Sequence, residues 1–245
     1  MAIGLETWRT RSVLEGLGLT SVEACALAVF AGLSANSAEA NPIRCLTDSS
    51  PSATAASETN GGNAAGQSDT QGVHESPLTG AWNSACINAT SYSARNEVRF
   101  FADRMHWRGL SFTSTNCANQ DFAFEMHSRY ALGLQAGEHF GLDYVLERIL
   151  FVFTTEDGVR QANDYVYCGI KNWRLNELRD VTGKDCGGTV YRSGDATYDL
   201  VRIDQGCKLY FGAFIDGRDG KTPETRPVTI DPHLAYLKGA ARPRP

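Results

Sequence analysis

The sequence predicts an all-β, antiparallel domain that follows a leader and a polar tether. Three observations carry this. First, Phe122, Phe124, Met126, Ser128, Tyr130 and Leu132 alternate with Ala123, Glu125, His127, Arg129 and Ala131. A period of two sustained over that length marks one long, half-buried strand. Second, Asp143–Thr155 is a run of Val, Ile, Leu and Phe with the character of a strand buried on both faces near its end. Third, the chain carries seven cysteines, a high count for a reducing compartment and an ordinary one for an exported protein.

The first element is Met1–Ala40. Arg9 and Arg11 precede an apolar stretch, Ala24–Leu33, and Ala38-Glu39-Ala40 supplies small residues at the exit. Basic region, short apolar core and A-x-A exit are what a signal peptidase reads, so residues 1–40 are expected to be a signal peptide cleaved before Asn41. The apolar stretch is well short of the about 20 residues a membrane-crossing helix needs. The second element, residues 41–76, is dominated by Ser, Thr, Ala, Gly and Asn, with Ile43, Leu46 and Val73 as its large aliphatics. It cannot bury enough apolar surface to offset its chain entropy and is expected to be a disordered tether.

The third element, residues 77–245, is the expected folded domain. Strands are expected near Gly80–Asn88, Tyr92–Ala102, Met105–Ser114, Tyr165–Leu175, Thr197–Asp204 and Cys207–Phe214, besides the two long ones. Gln205-Gly206 suits a tight hairpin turn. Glu156–Asn163 and Pro232–Lys238 are the two expected short helices, the second with Asp231 as N-cap and Pro232 in its first turn. About eight strands with short connections give a sandwich or an up-and-down barrel, and closure of a barrel removes exposed edges.

Among the domain's cysteines, Cys86, Cys117, Cys168, Cys186 and Cys207, spacing alone does not fix connectivity. The pairs Cys86–Cys117 and Cys168–Cys186 are expected because each closes a moderate loop. Cys45 in the tether is then the mature partner left for Cys207. The chain has no C-x-x-C, so a zinc ribbon or a dithiol redox motif is not expected.

The formal charge of −5 leaves no basic surplus for a phosphate backbone, so nucleic-acid binding is not expected. The domain is formally neutral; the negative charge lies in the leader and tether. No G-x-S-x-G, H-E-x-x-H or strand-borne G-x-G-x-x-G occurs, and Gly220-Lys221-Thr222 lacks the glycine a phosphate loop needs, Ile215 standing there. Asp216–Gly220 resembles a calcium loop in composition only, since Arg218 and Gly220 cannot supply carboxylates. His106 and His127 fall on strand faces expected to point outward, beside Arg108 and Arg129. No histidine pair has a metal-ligand spacing. No catalytic residue, metal or cofactor is assigned.

Leu78-Thr79-Gly80-Ala81-Trp82 places Gly-x-Trp at the opening of the first strand, and Ser84, Cys86, Arg95, Phe100 and Cys117 extend the pattern. The pattern resembles lipocalin-like domains, in particular the family that includes the extracellular domain of a Wnt inhibitor, the adenomatosis polyposis coli down-regulated protein, and bacterial exported proteins. That resemblance implies an antiparallel lipocalin-like barrel with Trp82 packed across one end. It also implies an apolar cup for a lipid or other small hydrophobic molecule, for which Trp82, Phe122, Phe124, Met126 and Tyr130 are the expected lining residues. The leading expectation is therefore an exported binding protein, periplasmic, cell-surface or extracellular, with association to the cell envelope open. An interaction protein with a filled barrel and a secreted hydrolase without a recognisable motif are the alternatives. Oligomeric state is left open by the sequence.

Overall fold

The computed structural model describes residues 76–239 apart from Asp216. The expected leader and most of the tether, with Cys45, lie outside the described residues. The first strands are β1 (Gly80–Ser84), β2 (Ile87–Asn88), β3 (Ser93–Phe101) and β4 (Arg104–Phe112). Two long strands follow, β5 (Gln120–Ala136) and β6 (His139–Phe153), and then helix α1 (Glu156–Asp164). Short bridges β7 (Arg179–Asp180), β8 (Asp185–Cys186) and β9 (Thr189–Val190) precede β10 (Ala196–Asp204), β11 (Lys208–Gly212) and β12 (Ile230–Gly239).

Eight of these strands form a closed antiparallel barrel. The spatial order is β1, β3, β4, β5, β6, β10, β11, β12, and β1 closes the ring by pairing with both β3 and β12. Neighbours in space are neighbours in sequence, the arrangement of an up-and-down barrel. The residues of β5 expected to face one way do so: Phe122, Phe124, Met126, Ser128 and Tyr130 are all buried on the barrel interior. The alternate face carries charge. Arg108 lies between Glu97 and Glu125, and Glu147 between Arg104 and Arg129.

A β-bulge explains how β6 keeps its buried face across two consecutive polar residues. Register against β5 shifts between His127 and Ser128, so that Ser128 opposes Leu146 while His127 opposes Arg148. Glu147 and Arg148 thus both look outward while Leu146 and Ile149 both look in. On β4, Gly109 leaves the space that the Phe124 ring fills from the neighbouring strand; a Cβ there would collide with that ring. The turn after β10 also matches expectation, with Gln205 and Gly206 both at positive φ (51° and 70°).

Helix α1 forms where expected. Thr155 caps it, its Oγ1 accepting from the Gly158 N–H at 3.1 Å, and Glu156 and Asp157 occupy the first turn, where acids suit the helix dipole. The other two irregular expectations are corrected. Pro232–Lys238 is not a second helix but part of β12. Asp231 does accept from the His233 N–H at 2.9 Å, yet no helix follows. Strand closure wins: Tyr236 is wholly buried, and residues 236–239 pair with β1. The register with β11 jumps from Ile230 to Ala235, which leaves Pro232 where its missing N–H breaks no ladder bond with that strand. Tyr165–Leu175 is not a strand either. It is a 3-10 turn (Tyr167–Gly169) followed by irregular chain, with Val166 and Cys168 both at a left-handed φ of 53°. Its apolar residues are used one-sidedly, packing down onto the barrel instead of alternating.

That packing closes one end of the barrel. Tyr167, Ile170, Trp173 and Val181 join Phe122, Phe151 and Phe153 in one apolar cluster, with Phe153 and Trp173 in edge contact at 4.9 Å. Asn163 clamps the segment, accepting from the Trp173 N–H at 2.7 Å and donating to the Trp173 carbonyl at 3.1 Å. Both expected disulfides are present, Cys86–Cys117 and Cys168–Cys186. Cys207 is disulfide-bonded as well. The Cys168–Cys186 bond is buried beneath the capping segment and closes a separation of 18 residues. Replacing both cysteines by alanine is expected to cost about 3 kcal/mol from restored chain entropy. Hydrogen exchange should rise selectively over residues 154–195; unchanged melting with unchanged exchange there would contradict a stapling role.

Candidate functional site

The interior of the barrel is where the inward residues of eight strands converge. Its lining is aromatic. Trp107, Phe211 and Tyr236 contact one another, with ring centroids 5.0–6.0 Å apart. Phe100 and Tyr130 meet edge-on at 5.0 Å, and Phe122 contacts Phe151 at 5.0 Å. All five residues expected to line a cup are buried: Trp82 is 0 % exposed and Tyr130, the most exposed of them, 8 %. They are not one cluster. Phe122 and Tyr130 stand roughly 26 Å apart along β5 at the usual rise per residue, so no single small molecule spans them. Phe122 belongs to the capped end, with Phe151 and Phe153. Phe124 lies over Gly109, and Met126 faces Trp107 at mid-height. Tyr130 and Trp82 lie toward the opposite end, where β1 begins.

Three sets of polar groups interrupt this lining. In the first, the Trp107 Nε1–H donates to Asn96 Oδ1 at 3.4 Å, the side chains of Asn96 and Tyr236 are hydrogen-bonded, and the Asn96 N–H donates to Ser84 Oγ at 2.9 Å. The second contains Asp199, Tyr144 and Thr197. Asp199 Oδ1 accepts from the Leu200 N–H at 2.6 Å and the Gly212 N–H at 3.1 Å. Gly212 permits this approach, because a Cβ there would meet both Pro227 and that oxygen. Burial pushes the Asp199 carboxyl up to about 7, against the opposing pull of the two N–H donors and of Arg226. Burial also pushes the Tyr144 and Tyr236 phenols upward, and the Asp199 charge adds to both shifts. The third set is the pair of hydroxyls on Ser128 and Tyr130. Both are buried, and neither has a hydrogen-bond partner among the described residues.

Outside the interior, Arg226 fastens residues 213–229 across the outer face of β10. It donates to the Asp199 carbonyl at 2.6 Å and to Asp143 Oδ1 at 2.5 Å, and its guanidinium lies 5.5 Å from the centre of the Tyr198 ring. The strand beneath it shows why Asp199 escaped sequence reasoning. Tyr198 and Leu200 face outward, half-buried, while Asp199 faces in together with Val201 and Ile203, so the apolar residues change sides within the strand. Asn96, Tyr144 and Tyr236 escaped for a related reason: a phenol or an amide at an inward position reads like any other amphipathic strand residue. His106 and His127 are on the outer face as expected, their rings 4.1 Å apart. Among the described residues no group of three or more His, Cys, Asp or Glu side chains is arranged to hold a metal ion. No helix among them is long and apolar enough to cross a membrane.

Comparison with protein-family models and with curated proteins finds no match for this chain.

Proposed function

We propose that the protein is an exported binding protein whose barrel takes a small, largely apolar molecule, in the manner of a lipocalin-like domain. The observation that carries this reading is the interior itself. It is lined by aromatic and aliphatic side chains from eight strands and interrupted by few polar groups, of which the Ser128 and Tyr130 hydroxyls are unpartnered. Apolar walls with sparse, fixed polar groups are the chemistry of small-molecule sites. Of the five expected lining residues, Tyr130 carries one of those hydroxyls and Met126 is two residues from Ser128 on the same face of β5, and these two are the ones assigned to ligand contact. Export is supported by the disulfides, which persist in oxidising compartments, and by the leader-like residues 1–40.

A second reading is an exported interaction protein with a filled barrel and loops that make the contacts. The mutual contacts of Trp107, Phe211 and Tyr236 favour it, since an eight-stranded barrel is just wide enough to be filled by its own side chains. Native mass spectrometry of protein purified from its own host separates the two. The first reading predicts a mass excess that dissociates as a small apolar compound on collisional activation. A bare polypeptide mass, together with no uptake of an apolar fluorescent dye, would sink it and leave the filled barrel.

A further inference from the structure

The unpartnered hydroxyls of Ser128 and Tyr130 point to the class of ligand, on the footing of the binding reading above. Both belong to the inward face of β5, two residues apart, so their side chains stand next to each other on one wall. Ser128 is 1 % exposed and Tyr130 8 %. Their surroundings are apolar: Met105 and Leu146 oppose Ser128 on the flanking strands, Phe100 packs edge-on against Tyr130, and Tyr144 opposes it. A buried hydroxyl without a partner carries a desolvation cost that an apolar residue of the same shape would not. Here two occur side by side on a wall otherwise built from hydrocarbon.

Near Tyr130, the apolar residues Leu132, Phe140 and Ile203 pack against the core but are only partly buried, whereas their cross-strand partners Leu142, Val201 and Leu209 are fully buried. These partly exposed side chains cluster at the end of the barrel opposite the cap made by residues 154–195. Of Ser128 and Tyr130, the latter is the nearer to that end.

The electrostatics select the polar group. Among the described residues no lysine, arginine or histidine is buried, while Asp199 is. An anionic head drawn down to Ser128 would be desolvated without a buried counter-ion. A neutral group that donates or accepts hydrogen bonds meets no such obstacle. We propose that Ser128 and Tyr130 together seat the uncharged hydroxyl or carbonyl of an otherwise hydrophobic ligand.

The test compares three probes of one shape by calorimetry at pH 7: naphthalene, 2-naphthol and 2-naphthoate. Wild-type protein should bind 2-naphthol roughly ten-fold more tightly than naphthalene, the scale of one to two hydrogen bonds, and 2-naphthoate most weakly. The Ser128→Ala, Tyr130→Phe double variant should bind naphthalene and 2-naphthol alike. Its melting temperature should stay level or rise, because only unpartnered hydroxyls have been removed. Equal wild-type affinity for naphthalene and 2-naphthol would overturn this proposal and leave the binding reading intact. A preference that survives in the double variant would do the same, as would a clear fall in melting temperature, which would mark the hydroxyls as structural. Failure of the wild type to bind any of the three would remove the binding reading and this proposal together.

Discussion

Replacing Trp82 by alanine is expected to cost about 3–5 kcal/mol, the penalty of removing a large ring from a close-packed interior. The indole is wholly buried. Its Nε1–H donates to the Leu78 carbonyl at 2.7 Å, so truncation also strands a buried acceptor. The site is the seam of the barrel. In register, Trp82 opposes Val98 on one side and Lys238 on the other, and the Lys238 ammonium lies 5.3 Å from the centre of the indole ring. The first strand is only five residues long and is the one element that joins both edges of the sheet. Gly80, at φ 124°, brings the chain into that strand in a conformation side-chain-bearing residues rarely adopt, which sets the ring against Leu78. Equilibrium denaturation in urea measures the loss. A loss well under ~1 kcal/mol, the usual range for a surface site, would mean that the ring does not hold the seam. Trp82→Phe should recover part of the difference through apolar area while still leaving the Leu78 carbonyl unpaired.

Period-two patterning made the strands legible wherever one face met water. β5 is the clear case: Glu125, His127 and Arg129 lie outside, and Phe124, Met126 and Tyr130 inside, as their alternation implies. Legibility failed where a strand or segment is covered on its outer side. In β10 the apolar residues change sides within the strand, Tyr198 and Leu200 outward, with Arg226 over the Tyr198 ring, and Val201 and Ile203 inward, and so its inward acid went unseen. The residues after α1 read as a strand because Val166, Tyr167, Ile170 and Trp173 have strand character. They are instead a cap, whose backbone turns at Val166 and Cys168 are set by the barrel end beneath and by the disulfide. In β12, local N-cap chemistry at Asp231 is present but is outweighed by burial of Tyr236 and pairing with β1. Alternation in the sequence marked the inward face of β5 and missed the polar groups opposite, because buried amides, phenols and acids carry no periodic signal of their own.

Stability should fall as pH rises from about 4 to about 7, and Asp199 should be the chief cause. Its carboxyl is fully buried, and its pKa rises from an ordinary 3.8 to about 7. In that interval the folded state holds a proton that the unfolded state has released. Stability from the neutral acid is therefore fully present below the unfolded value and is lost as pH passes the folded one. A shift of this size corresponds to about 4 kcal/mol between the two plateaus, an order-of-magnitude figure. The opposite trend belongs to lower pH. Glu147, held down by Arg129 and Arg104, and Asp219, held down chiefly by the Lys221 N–H, favour the fold when ionised and lose that contribution as pH falls through their own lowered values. The two trends together place the stability maximum in mildly acidic solution. Asp199→Asn isolates the first of them. The amide oxygen can still accept from the Leu200 and Gly212 N–H groups, and the amide does not ionise, so the variant should lose most of the fall between pH 4 and 7 and keep only the part due to Asp121, whose carboxyl burial also holds above its ordinary value. At pH 8 it should exceed wild type, because it spares the fold a buried charge that lies near the Tyr144 and Tyr236 phenols. Urea titrations of both proteins at pH 4.5, 6 and 8 measure the slopes. Parallel slopes would show that Asp199 is ionised in the folded protein throughout, with Arg226 and the two amides outweighing burial.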